Sequence, residues 1–311
     1  MKKTIRKIMT GNVAWDDLIY DVICNIALFL FTIVCFYPMY FILLASFTAP
    51  KYVNSGEFLL YPKEWNFMGY QQVLKDRDVW VGYGNTLIYV TGGTLLGVIV
   101  TMLAGYALSR KDMWGRGFLM KIFVFTMYFG GGLIPTYLVI SKLQLTNTRF
   151  LMIILGSVSV YNTIVVRSFM ISNVPDELYE AAILDGCGHP TFFTKVVMPL
   201  SKAIVSVIAL WLAVGYWNSY FSAMIYLSDP KKYPLQLYLR QILMMASSVA
   251  GSASDPEKEQ LIDPEYLALM QQLAAVLKYA LIVVSTGPVL CIYPFVQKYF
   301  VKGVMIGSVK G

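Results

Sequence analysis

EAAILDGCGHPTFFTKVVMP, residues 180–199, decides how the rest of the chain is read. The stretch is short, soluble-looking and helix-forming, and it lies between two long apolar runs. A connection between membrane spans has no need of a helix, so a helix built here asks for a partner. Just upstream, Pro175 suits a first helical position, where its missing N–H is an orphan anyway. Asp176 and Glu177 follow at the positive end of the helix dipole. The helix is expected to run through Leu178, Ala181 and Ala182 to Leu184, with Gly186 as a left-handed cap. By their spacing Leu178, Ala181, Ala182 and Asp185 share a face. Two alanines there would let the helix lie deep in a partner's groove. Gly188-His189-Pro190 makes a turn, and a second short helix from about Thr191 ends at Pro199. His189 reads as a turn residue rather than a pH switch. A surface-lying amphipathic connector is the plainer reading of the same residues.

Composition places this stretch in a membrane protein. Of 311 residues, 57% are hydrophobic and 14% charged, with a mean hydropathy of +0.60. Soluble domains carry roughly 45–50% apolar and about 25% charged residues. The net charge of +7 reflects bases beside apolar runs, where topology explains them; nucleic acid is not an expected partner. Runs long enough to cross a bilayer occur at about 20–46, 85–109, 119–141, 150–171, 202–227 and 276–299. The fold class expected is therefore all-α: a polytopic integral membrane protein with six transmembrane helices. The first run is far longer than a signal h-region and is read as retained. Lys2, Lys3, Arg6 and Lys7, and then Arg110, Lys111, Arg116 and Lys121, mark short basic segments beside spans. By the positive-inside rule, residues 1–19, the 172–200 loop and the tail 300–311 face the cytoplasm. The 228–275 loop, with its polar 247–265 stretch, lies outside.

The centres of the six runs hold no Asp, Glu, Lys, Arg or His. Intramembrane charge is expensive and kept for tasks such as proton relay, so a proton-driven carrier has little to work with. Gly93 and Gly97 form a GxxxG step, with Gly105 beyond it, and Gly130-Gly131-Gly132 precede Pro135. Close helix packing is the ordinary reading of all these glycines; for the triplet, an unwound stretch lining a cavity is the lesser alternative. Cys24, Cys35, Cys187 and Cys291 show no metal-ligand spacing and no disulfide is expected among them. The dipeptide Gly-Lys occurs nowhere, which removes the usual phosphate-cradling loop. Gly-x-Ser-x-Gly and His-Glu-x-x-His are also missing. No catalytic residue is expected, nor a metal site or a cofactor held by this chain.

For substrate contact the fifth run has the best residues. Trp211, Gly215, Asn218 and Ser222 fall on one helical face, flanked by Tyr216, Trp217 and Tyr220. Aromatics beside amides suit the apolar faces and hydroxyls of a sugar, although packing against lipid headgroups explains them as well. Tyr161 and Asn162 in the fourth run are weaker choices.

Glu-Ala-Ala-x-x-x-Gly, nine residues, then Val196-Val197-Met198-Pro199 resembles the EAA loop of binding-protein-dependent ABC importers. Val196 and Met198 stand where that pattern has Ile and Leu. Further likeness lies in LAGYALSRKDMWGRG (103–117), in PTYLVISKLQLTNT (135–148), in YPLQLYLRQIL (233–243) and in the tail KGVMIGSVKG (302–311). Together they resemble the second permease of maltose-type carbohydrate importers. The YFGGGLIPTYLV and WNSYF stretches look closer to permeases for larger oligosaccharides.

The resemblance implies a type I ABC importer permease fold with a cytoplasmic coupling helix, in a bacterial plasma membrane. It implies as partners a second, similar permease, two cytoplasmic ATPase subunits, an extracytoplasmic solute-binding protein and an oligosaccharide, besides membrane lipid. ATP and magnesium would belong to the ATPase subunits. Coupling would fall to Glu180, Ala181, Ala182, Asp185, Gly186 and Pro199, with Lys310 in a tail that reaches the ATPases. The same machine carrying peptides or amino acids is the nearest rival. An energy-independent channel or facilitator also suits uncharged spans but has no use for the EAA loop, and a membrane enzyme lacks residues to stand on.

Overall fold

The computed structural model describes residues 15–55, 59–252, 274 and 277–291. These residues are helical, with no strand among them; Thr48 and Trp65 form an isolated antiparallel bridge. They fall into two compact units, drawn from Met1–Gln71 with Val249–Val283 and from Gln72–Ser248 with Val284–Gly311.

In the first unit, helix α1 (Trp15–Phe47) is apolar along its length, with Pro38 inside it. Its segment Ile19–Phe47 is long and apolar enough to span a bilayer. Its side chains from Ile19 to Val34 are mostly exposed, as suits a helix facing lipid or another subunit. Where it ends, apolar side chains turn inward: Leu44 and Ala45 pack with Leu59, and Phe41 meets Tyr279 edge-on. Phe47, Trp65, Phe67 and Tyr70 stack beside helix α2 (Pro50–Asn54), and Ser46 Oγ and Tyr70 Oη share a hydrogen bond.

The boundary between the units falls within the short helix α3 (Met68–Lys75), and the second unit goes on with α4 (Arg77–Ser109), among the described residues the second helix long and apolar enough to span a bilayer. Asp76 caps α4 by accepting a bond from Asp78 N at 2.9 Å. Glycines let neighbours close on α4. A Cβ on Gly93 would stand 2.1 Å from Tyr216 Cζ, one on Gly97 2.7 Å from Leu212 Cδ1, and one on Gly105 2.5 Å from Val166 Cγ1. The GxxxG step is thus a contact surface for the later helices α8 (Val160–Asn173) and α11 (Lys202–Trp217).

The glycine triplet does something else. The 119–141 run holds two helices, α5 (Arg116–Tyr128) and α6 (Leu133–Lys142), bent by 113° at the triplet. Gly132 sits at φ 84 and ψ 179, a region essentially closed to residues with a Cβ. Nothing crowds Gly130 or Gly132, so among the described residues these glycines break the helix rather than admit a neighbour. Of the lesser expectation for the triplet, an unwound stretch lining a cavity, the unwinding is what is observed.

Other runs are broken too. Thr148 caps α7 (Arg149–Ile154) and Ser159 caps α8, each accepting from a backbone N–H three residues on. Helix α9 (Asp176–Leu184) is followed by α10 (His189–Leu200), whose middle, Phe193–Val197, is wound as a π-turn. Proline lacks the N–H for a regular bond to the fourth residue back and its ring crowds that carbonyl, so Pro199 favours the looser winding just before it. At Ser201 the chain bends by 82° into α11. Helices α12 (Phe221–Tyr226), α13 (Leu235–Ser252) and α14 (Leu277–Cys291) follow. Trp217 Nε1 donates to Ser285 O at 3.1 Å, which ties α11 to α14.

Candidate functional site

Helix α9 begins after Pro175, which caps it rather than occupying its first turn; Asp176 and Glu177 do occupy that turn. Its end is a Schellman turn: Cys187 N donates to Ala182 O at 2.8 Å and Gly186 N to Ile183 O at 2.9 Å. Gly186 stands at φ 76 with open space around its Cα, the left-handed cap its place in the sequence requires.

The helix turns one face to its own protein. Tyr179 and Ala182 pack against a core made by Met102, Tyr106, Val166, Met170, Phe192 and Val197. Ala182, expected to share an outward face with Ala181, is therefore half-buried, because that core lies on its side of the helix. Glu180, Ala181 and Asp185 are exposed, as are Leu178 and Ile183, and Leu184 is 89% exposed. Pro199 is exposed at the end of α10, while Lys310 lies outside the described residues.

A polar clasp fixes α9 to the connection after α4. Lys111 Nζ lies 2.7 Å from Asp176 Oδ2, and Arg110 Nη1 3.5 Å from Asp176 Oδ1. The Lys111 ammonium holds the Asp176 carboxyl below the usual carboxylate range, and Asp176 in turn raises Lys111. Arg110 is buried and lies 3.9 Å from the centre of the Tyr179 ring, a cation–π contact. His189 hydrogen-bonds through Nδ1 to Tyr106 Oη at 3.0 Å and through Nε2 to Tyr179 Oη at 2.8 Å. Asp112 Oδ2 stands 3.3 Å from the same Nε2. His189 is thus a junction between α4, α9 and α10, more than the turn residue expected. The sequence showed these bases only as topology signals. Nothing in their spacing announces that Arg110 folds over Tyr179, since the two are 69 residues apart.

A second feature lies within the apolar helices. Trp211, Gly215, Tyr216, Ser219 and Ser222 line a pocket of about 280 Å³, together with Tyr89 and Gly156. Tyr161 leans on Trp211 at 6.1 Å between ring centres. The other proposed contacts do not join it. Asn218, the residue after the last of the helix, is not among the residues lining the pocket; its side-chain amide donates to Val214 O at 2.9 Å instead. Trp217 is buried with its N–H on Ser285 O, and Asn162 is buried in α8.

No family model matches the chain. The polygalacturonan/rhamnogalacturonan transport system permease protein YtcP of Bacillus subtilis (strain 168) is 36% identical over 305 residues, covering 96% of this chain and 99% of that protein. The chain belongs to the carbohydrate ABC importer permeases. The maltodextrin transport system permease protein MdxG of the same organism is 26% identical, over 91% of this permease and 93% of that one. Among solved structures, a bacterial ABC transporter involved in the import of the acidic polysaccharide alginate superposes with a TM-score of 0.79. That match is at 30% identity and covers 93% of this permease and 99% of that chain. The protein is thus an integral membrane subunit of an ATP-driven importer rather than an enzyme, and such a permease works with ATPase and binding-protein partners.

Proposed function

We propose that this permease passes an acidic oligosaccharide and that α9 is the surface its ATPase grips. The observation that carries the coupling half is the two-sided build of α9. Tyr179, Ala182 and the Lys111–Asp176 clasp fasten one side, while Glu180, Ala181 and Leu184 are offered outward. A helix so fastened can pass a push from outside to α4 and α8 as a rigid lever. Gly186 and Pro199 set where the lever ends, and Asp185 lies exposed beside the cap. The rest of the machine, in this reading, is a second permease, two cytoplasmic ATPases that bring ATP and magnesium, and an extracytoplasmic binding protein. Both termini are cytoplasmic, the membrane is the bacterial plasma membrane, and 20–299 is the transmembrane domain.

For the cargo, the names of the B. subtilis relative and of the alginate importer both favour a chain of sugar acids. The pocket supports this reading: Trp211 and Tyr216 present apolar ring surface beside Ser219 and Ser222. Beyond its Tyr89 end, where the phenol donates to Lys232 O at 2.8 Å, the Arg149 guanidinium stands 3.5 Å from Lys231 O. A base at that end suits a carboxylate-bearing sugar.

The test is ATPase copurification and binding-protein-stimulated hydrolysis in the reconstituted importer. Ala181→Leu should lower copurification, since overpacking a tight contact costs about 1–3 kcal/mol. Glu180→Ala should weaken stimulation more than basal hydrolysis. Stimulation should follow binding protein loaded with oligogalacturonate, not with maltodextrin. Unchanged copurification and stimulation in both variants would sink the docking role, and preference for the neutral sugar would sink the cargo.

A further inference from the structure

Helix α5 has no buried residue along its 13 positions. An apolar groove of about 550 Å³ runs along it past Met120, Val124, Phe125 and Phe129. At its Arg116 end the groove meets a cleft of about 250 Å³ that holds Arg110, Lys111, Arg116 and Arg167, against Asp176 as the one carboxylate of its lining. Arg116 and Arg167 belong to both. Lys111 and Arg110 answer Asp176, whereas Arg116 and Arg167 donate to backbone carbonyls, Arg110 O and Leu108 O. Arg110 is 8% exposed, and its Nε makes no hydrogen bond, Asp112 Oδ1 standing 3.6 Å away. A buried guanidinium N–H left open is costly unless an acceptor reaches it.

Positive charge at one end and an apolar wall beyond it describe an amphiphile. We propose that the cleft and groove hold one anionic phospholipid, its phosphate between Arg116 and Arg167 and one acyl chain along α5. The dimensions agree. Thirteen residues at 1.5 Å each give about 20 Å, and one leaflet of a roughly 30 Å hydrocarbon core is about 15 Å. Trp114, two residues before Arg116, is 96% exposed, and tryptophan beside basic residues is the pairing that anchors at headgroup level. Basic pockets between helices on the cytoplasmic side are a recognised form of headgroup site. The lipid phosphate would tie α5 to α8 and sit against the clasp that fastens α9, so it would stiffen the lever. That last consequence rests on the coupling role proposed above; binding itself does not.

The experiment uses the whole importer, purified and placed in phosphatidylcholine nanodiscs with or without phosphatidylglycerol. Native mass spectrometry should find phosphatidylglycerol retained by the wild type and lost in Arg116→Gln/Arg167→Gln. The charge-keeping Arg116→Lys/Arg167→Lys should retain it, which separates charge from misfolding. A photoreactive side chain at Phe125 should capture lipid. Equal retention in the neutral double variant, displacement of the lipid by inorganic phosphate alone, or capture of a partner subunit at Phe125 would each overturn the proposal. ATPase stimulation in the two lipids is read separately, so a failed lever leaves the binding result standing.

Discussion

Gly186 is the residue on which the geometry of the coupling segment turns. Its φ of 76 closes the Schellman turn, and the space around it is open, so a side chain there meets strain and no clash. Left-handed backbone costs a β-branched residue of order 1–2 kcal/mol, whereas asparagine tolerates it. Gly186→Val should abolish coupled import at wild-type membrane levels, and Gly186→Asn should retain most of it. Wild-type uptake by the valine variant would refute the cap's role in coupling. This much was legible in the sequence, because a glycine after a run of helix formers has few other uses. The inward turn of Ala182 was not legible, since it depends on a core drawn from distant helices, which only folding brings beside it.

Two elements carry predictions of their own. The break between α5 and α6 rests on Gly132 rather than Gly130, because only Gly132 has a positive φ. Gly132→Ala should lower stability by about 1–3 kcal/mol while Gly130→Ala does not, as read from thermal unfolding in detergent. Equal effects of the two would remove the strain argument. The clasp between Lys111 and Asp176 predicts a pH dependence. Asp176 is held below 3.8, so its contribution is complete above that pH and is lost as pH falls through its folded value. Lys111 is raised above 10.5, so its share is complete below that pH and is lost only as pH rises through its folded value. The melting difference between wild type and Asp176→Asn should therefore be constant through neutral pH and shrink below pH 3.8. A difference that instead changed between pH 5 and pH 9 would overturn the assignment of the clasp to Asp176 and Lys111.

For the whole molecule, the proposed orientation places Asp112 and Lys231 on opposite sides of the membrane. In a background with Cys24, Cys35, Cys187 and Cys291 replaced, Lys231→Cys should react with an impermeant thiol reagent in intact cells. Asp112→Cys should react only after permeabilisation. The reverse pattern would invert the topology and remove α9 from the cytoplasm, and with it the docking surface. The span count expected from hydropathy rested on apolar runs. Among the described residues two helices are long and apolar enough to cross, the 119–141 run is a pair of helices bent by 113°, and the loop helix His189–Leu200 meets the start of the fifth run at 82°. Hydropathy sums over a window and is blind to a break inside it.

Taken alone, the sequence determined that this is a helical membrane protein whose exposed loop carries a capped helix. Composition, run length and the Gly and Pro positions act locally, so they survive being read one residue at a time. The tertiary structure decided which face of that helix is free, which aromatics line a pocket and which bases converge. Those depend on side chains tens of residues apart: Arg110 over Tyr179, Trp217 on Ser285, Arg116 beside Arg167. Packing brings each pair to one contact or one cleft, and no local pattern encodes that meeting.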